Sequence, residues 1–173
     1  MAFVVEDGTG LTNSNSYNDI TFLDVYHTDR NNEDWLELTL QEKEVNAIKA
    51  TDYIDVRFEY LGQKLKNTQS LEFPRSNLFV DGFQLEGVPD ILKKAHAELA
   101  LISVVQTLFN EPTVSERGLF LTKERTQVGP IEEEFEYDPE LGLTVTKEFP
   151  IPDRLLQKLS TSISANSVFL MRG

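Results

Sequence analysis

The sequence predicts a mainly α protein of the α+β kind: a small helical bundle around a central buried helix, with β-hairpin and strand extensions and an extended C-terminal arm. Three observations carry that reading. Apolar residues recur at helical spacing over Ile20–Tyr26, Leu40–Leu61 and Ile91–Phe109. The strand signals are short and flanked by turn residues, at Asp81-Gly82 and at Val128-Gly129-Pro130. The last residues, "STSISANSVFLMRG", place an apolar tip behind a polar spacer.

The elements follow in order. "FVVE" near the start reads as a short strand, and "DGTGLTNSNS" after it as a loop built on Gly8 and Gly10. A first helix spans about 18–30, capped by Asn18 or Asp19, with Ile20, Phe22, Leu23, Val25 and Tyr26 as its apolar side; "RNNEDW" stops it. "TLQE" at Thr39–Glu42 is a capping box for a second helix over about 39–60, in which Leu40, Ala47, Ala50, Ile54, Phe58 and Leu61 share a side and Gly62 ends it. Pro74 blocks a helix and pushes Phe73 toward extended backbone, so "SLEFPR" is a connector. Asp81-Gly82 between "LFV" and "FQL" predicts a type I′ hairpin over about 78–85. Pro89 opens a third helix over about 90–109 as a first-turn proline, and "LALISVV", apolar nearly all round, makes it the central buried one, closed by Pro112. A second hairpin is expected near 119–137 and a short fourth helix over 152–159. Residues 1–159 then form one domain, and 160–173 an arm.

Charge and composition narrow the function. The 173 residues carry a net charge of -13, which repels polyphosphate at long range, so nucleic-acid binding would need a local basic patch. The 16 basic residues are interspersed with acids, and their densest local sets are Lys64/Lys66, Lys93/Lys94 and Lys123/Arg125. The absence of cysteine excludes a disulfide framework and thiolate metal sites, and fits a reducing cytoplasm. The start has no basic region and no long apolar run, so no signal peptide is expected, and no window is apolar enough to suggest a membrane span.

Chemistry-bearing candidates are few. His27 and His96 lie on separate predicted helices without metal-ligand spacing, and His96, between Lys94 and Glu98, reads as a boundary residue. "DGTG" lacks the lysine and the full spacing of a phosphate-binding loop. The acidic run Glu132–Glu140 reads as a solvated face, although Glu132 and Glu134 share a side of a strand and could hold an ion. No serine stands in a nucleophile elbow. No catalytic, cofactor or metal residue is therefore assigned. Two partner-contact candidates remain. One is Phe73-Pro74-Arg75: either a packing corner in which Phe73 and Phe79 seat the hairpin on the helices and Arg75 pairs with an acid, or a small stacking platform for single-stranded nucleic acid shared with Phe79 and Phe83. The other is the tip Val168-Phe169-Leu170-Met171-Arg172, whose apolar part cannot bury itself within its own segment.

The order of "VVEDGTGL", "NSYNDITFLDVYH", "AIKATDYIDVRFEYLGQKL", "TQSLEFPR", "VPDILKKAHAELAL" and "KERTQVGPIEEEFEY" resembles a tailed-phage family often labelled DnaT-like single-stranded-DNA-binding proteins, whose members resemble head–tail adaptor (head-completion) proteins. The resemblance covers roughly residues 3–159; Phe73 stands where the family pattern has tryptophan. It implies a structural virion protein and not an enzyme: a subunit of a ring, commonly of twelve copies, that joins the portal to the next neck or tail-completion protein and extends the DNA channel. It also implies location in the virion neck, and in the host cytoplasm during assembly. DNA would pass without specific binding, which suits negative walls. Single-stranded-DNA binding is the alternative function.

Overall fold

The computed structural model describes residues 2–109, 120–127, 132–138 and 147–161. The architecture is mainly helical with small antiparallel strand pairs, as the sequence predicts. The chain divides into two compact units, Met1–Leu108 with Glu148–Gly173, and Phe109–Lys147.

The helical unit begins without the expected first strand: Val5 makes only an isolated parallel bridge to Ser16. Helix α1 (Ile20–Thr28) starts where the Asp19 carboxylate accepts the Phe22 amide at 2.6 Å. "RNNEDW" does more than stop it. Asn31 adopts a positive φ of 53°, and one further turn, α2 (Glu33–Leu36), buries Trp35. Helix α3 (Leu40–Arg57) opens with the capping box: Glu42 N donates to Thr39 Oγ1 at 3.4 Å, and Thr39 N to Glu42 Oε2 at 2.9 Å. It ends at Arg57, so Gly62 is not its cap. Gly62 instead has φ 72° beside a two-residue strand, β1 (Gln63–Lys64), that pairs with β2 (Arg75–Ser76). A Cβ on Gly62 would lie 2.3 Å from the Ser76 carbonyl oxygen, so the close crossing of the two segments requires glycine.

The Asp81-Gly82 hairpin forms as expected between β3 (Leu78–Val80) and β4 (Phe83–Leu85), with φ of 52° and 83° at its two central residues. Pro89 is the N-cap of α4 (Asp90–Val105), one position earlier than expected. The helix is central, but buried along one stripe rather than all round. Leu92, Ala95, His96, Leu99, Ala100 and Ser103 follow helical spacing inward, while Val105 is 75% exposed. The end near residue 109 is also corrected, since extended backbone at Gln106 stops the helix. Helix α5 (Pro150–Gln157) starts two residues before the expected Pro152 and buries Leu156. Fully burying a leucine such as Leu92, Leu99 or Leu156 contributes about 1.5–3 kcal/mol, and these side chains close one core with Ala47, Ala50, Ile54 and Leu23. After α5 the chain returns to the end of α3, where Ser160 bridges Tyr60 and Thr161 N donates to Glu59 O at 2.8 Å.

The second unit holds the other expected hairpin, β5 (Phe120–Gln127) antiparallel to β6 (Glu132–Asp138), with a bulge between Leu121 and Lys123. Pro112, the Val128-Gly129-Pro130 turn and the arm tip Val168–Arg172 lie outside the described residues. Among the described residues, no helix is long and apolar enough to cross a membrane.

Candidate functional site

Of the Phe73-Pro74-Arg75 connector, Arg75 borders an open cleft of about 680 Å³ at the C-terminal end of α3, lined also by Asp55, Arg57, Tyr60, Glu72 and Thr161 among others. Phe73 is fully buried, with its ring edge-on to Tyr17 (centroids 6.1 Å apart) and to Tyr60 (4.8 Å). The Phe73–Pro74 peptide is cis. The Pro74 carbonyl accepts from Leu65 N at 3.1 Å and from the buried Gln69 side chain at 3.0 Å.

Arg75 is wholly committed within the chain. Nε donates to Leu61 O at 2.7 Å. Nη1 donates to Glu72 O at 3.3 Å and to Glu72 Oε2 at 2.7 Å. Nη2 donates to Tyr60 O and Gly62 O, each at 3.1 Å. A guanidinium has five N–H donors, and all five are used. The other Glu72 oxygen pairs with Lys64 at 2.9 Å. The knuckle is therefore a clasp that ties the connector to the end of α3. Phe73 packs into the corner and Arg75 pairs with an acid, as the first of the two sequence readings expected for these two residues.

A half-buried carboxylate, Asp55, hangs the connector from α3. Tyr17 Oη donates to Asp55 Oδ1 in a short hydrogen bond, Phe73 N donates to Tyr17 Oη at 3.3 Å, and Glu72 N donates to Asp55 Oδ2 at 3.3 Å. Burial pushes the Asp55 carboxyl up to about 7, against the lowering effect of the Tyr17 and Glu72 hydrogen bonds. Burial, with Asp55 beside it, also raises the Tyr17 phenol well above its usual range. Neither residue was a candidate in the sequence. Their partners lie 17 to 56 positions away, and no local pattern marks them. Glu72, three residues before Arg75, was legible as an ion-pair partner from spacing alone.

The stacking platform is not assembled. Phe79 and Phe83 are exposed, which corrects the expectation that Phe79 packs inward. Phe79 lies opposite Gln84 and Phe83 opposite Val80, so the two rings belong to opposite faces of the hairpin, and Phe73 is in the core. Of the basic sets, Lys64 pairs with Glu72, and the hairpin register sets Lys123 and Arg125 opposite Glu136 and Glu134. The "DGTG" loop is likewise occupied from within. The buried Glu6 carboxylate accepts the amides of Gly8, Gly10 and Leu11 at 2.9–3.0 Å and the Ser14 hydroxyl at 2.9 Å, so the donors a phosphate would need already have an anion.

Both histidines are core residues, and His96 is not at a boundary. Its Nε2 donates to Ala47 O at 2.9 Å, and its Nδ1 accepts from Asn18 Nδ2 at 3.0 Å. The His27 ring packs against Trp35, tilted, with centroids 4.8 Å apart, and Asn32 lies 3.0 Å from its Nδ1. Burial depresses both imidazoles to about 4. Among the described residues, no three metal-ligating side chains converge.

No curated protein and no solved structure matches the chain. The family model that does match covers residues 1–173 and is described as "Putative DnaT-like ssDNA binding protein". The chain, with its clasped connector and Glu6-centred loop, belongs to that family.

Proposed function

We propose that the chain is a structural subunit of a tailed-phage neck: an adaptor that forms a homo-oligomeric ring, joins the portal to the next neck or tail-completion protein and extends the DNA channel. The observation that carries this reading is the clasp. The one motif with the composition of a nucleic-acid grip has its aromatic ring in the core and every guanidinium donor spent on its own chain. A rigid corner of that kind suits a subunit that must hold its shape between neighbours. The net charge of -13 works in the same direction, because ring copies with negative walls let DNA pass without gripping it. On this reading the protein catalyses nothing and resides in the virion neck.

The family description favours a second reading, single-stranded-DNA binding. Two measurements separate them. In the first, the purified chain is mixed with the portal ring of its phage and examined by native mass spectrometry. In the second, it is titrated against a labelled single-stranded oligonucleotide at low salt by fluorescence anisotropy. The adaptor reading expects a ring on the portal and no oligonucleotide binding at micromolar protein. Oligonucleotide binding that weakens steeply with salt, with no portal complex, would overturn it.

A further inference from the structure

The β5–β6 hairpin supports an inference that deepens the ring reading and rests on it. Among the described residues, the hairpin is a two-stranded ladder with no further strand on either outer edge. A lone two-stranded hairpin is marginal in water, and each free edge is a row of unpaired N–H and C=O groups suited to another chain. The two edges differ sharply in charge. Strand β5, "FLTKERTQ", has two cations and one acid, a net +1; strand β6, "EEEFEYD", has five acids and no cation, a net -5. The register sets Lys123 opposite Glu136 and Arg125 opposite Glu134, so these cations and acids share one face.

Two copies can meet edge to edge in three ways. Pairing β6 with β6 brings two acidic rows together, and pairing β5 with β5 joins two strands that each carry a net +1. β5 against β6 sets a strand of net +1 beside one of net -5, the most favourable of the three, because like charges directly opposite destabilise a ladder and unlike charges support it. Neighbours in a ring are related by a rotation about its axis, which lets β5 of one copy run antiparallel to β6 of the next, as it does within the hairpin. Such a contact is heterologous, the type that closes into rings. We propose that the hairpin is an inter-copy docking element, in which β5 of one copy adds to the outer edge of β6 in a second copy of this chain. The acidic run then has a purpose beyond solvation: it is an edge that rejects itself and accepts β5.

The chain has no cysteine, so single-cysteine variants report contacts between copies cleanly. Thr126→Cys in β5 and Glu133→Cys in β6 lie opposite each other in the hairpin, on the face away from Lys123 and Arg125. Full-length chains carrying one variant each are mixed, assembled and treated with a short bismaleimide. The expected product is a dimer containing one of each variant, with neither variant cross-linking alone. Adding Lys123→Glu and Arg125→Glu to the same background should lower the yield about tenfold, through loss of the opposite-charge pairs. Cross-linked dimers from either variant alone would mean like-strand pairing and overturn the proposal. Rings seen by native mass spectrometry without any cross-link would overturn the hairpin contact and leave the ring reading standing. A chain that forms no ring under any condition would overturn both.

Discussion

Replacing Arg75 with alanine removes five hydrogen bonds at once. Two go to Glu72, one of them to its carboxylate at 2.7 Å, and three go to the carbonyls of Tyr60, Leu61 and Gly62. The arginine side chain is 10% exposed and its Glu72 partner 27% exposed, so the pair is neither a surface salt bridge nor a fully dry one. Hydrogen bonds to a charged group contribute about 1.5–3 kcal/mol each, but five on one side chain do not add. Water can reach the freed carbonyls through the open cleft, and Glu72 keeps Lys64. The expected loss is therefore about 3–4 kcal/mol, at the lower end of the range for breaking a buried ion pair. At about 2–4 °C per kcal/mol for a chain of this size, the melting temperature should fall by about 10 °C. Urea denaturation followed by the fluorescence of Trp35, the one tryptophan and a fully buried one, reads the change in the helical unit directly. Arg75→Lys should recover less than half of the loss, since three ammonium donors cannot span the carbonyls and the carboxylate together. A loss for Arg75→Ala within about 0.5 kcal/mol, the range of an ordinary surface substitution, would refute the clasp.

Three further predictions concern the same core. His27 and His96 are held near 4 against an ordinary value of 6.5, so their contribution is complete above pH 6.5 and lost as the pH falls toward 4. Asp55, raised to about 7 from 3.8, acts in the opposite sense: its cost is fully present above pH 7 and is relieved as the pH falls toward 4. Two histidines outweigh one carboxylate near pH 5, so the urea midpoint should drop between pH 6 and pH 4.5, and His96→Gln should make that profile nearly flat. Tyr17→Phe removes a donor to Asp55 and an acceptor for Phe73 N; it should cost about 1–3 kcal/mol, and more at pH 8 than at pH 5, where Asp55 carries less charge. A cost that does not change with pH would remove Asp55 from the account. Gly62→Ala should cost at least about 2 kcal/mol by combining a positive φ with a backbone clash, whereas Gly82→Ala, with open space around it, should cost about 1 kcal/mol in the same urea assay.

Local signals in the sequence led to most of the helical unit. The Thr39–Glu42 box and the Asp81-Gly82 turn each act over a few residues and appear where they were expected, and α4 starts at Asp90 as read, though it stops earlier and buries one stripe. The misses share a cause. Helix α3 stops at Arg57, where Phe58 turns extended, and Gly62, read as its cap, instead serves the crossing of β1 and β2, segments that no local signal pairs. His96 looked like a boundary residue because Lys94 and Glu98 flank it, yet its partners Asn18 and Ala47 come from elements 78 and 49 positions away. Phe79 looked like packing material, but the register of a three-residue strand turned it outward.

By itself the sequence determined the helical class, the hairpins, the acidic balance and the absence of thiol chemistry, because these follow from propensity, periodicity and charge, which are local or additive. Only the tertiary structure decided what the Phe73-Pro74-Arg75 knuckle is. Aromatic, proline and arginine have the same composition in a grip as in a clasp. The difference lies in whether the guanidinium faces solvent or the carbonyls of residues 60–62, and that depends on where α3 ends relative to a connector more than ten residues downstream. A largely buried cation with all its donors satisfied is stable only where the backbone has already brought the acceptors together.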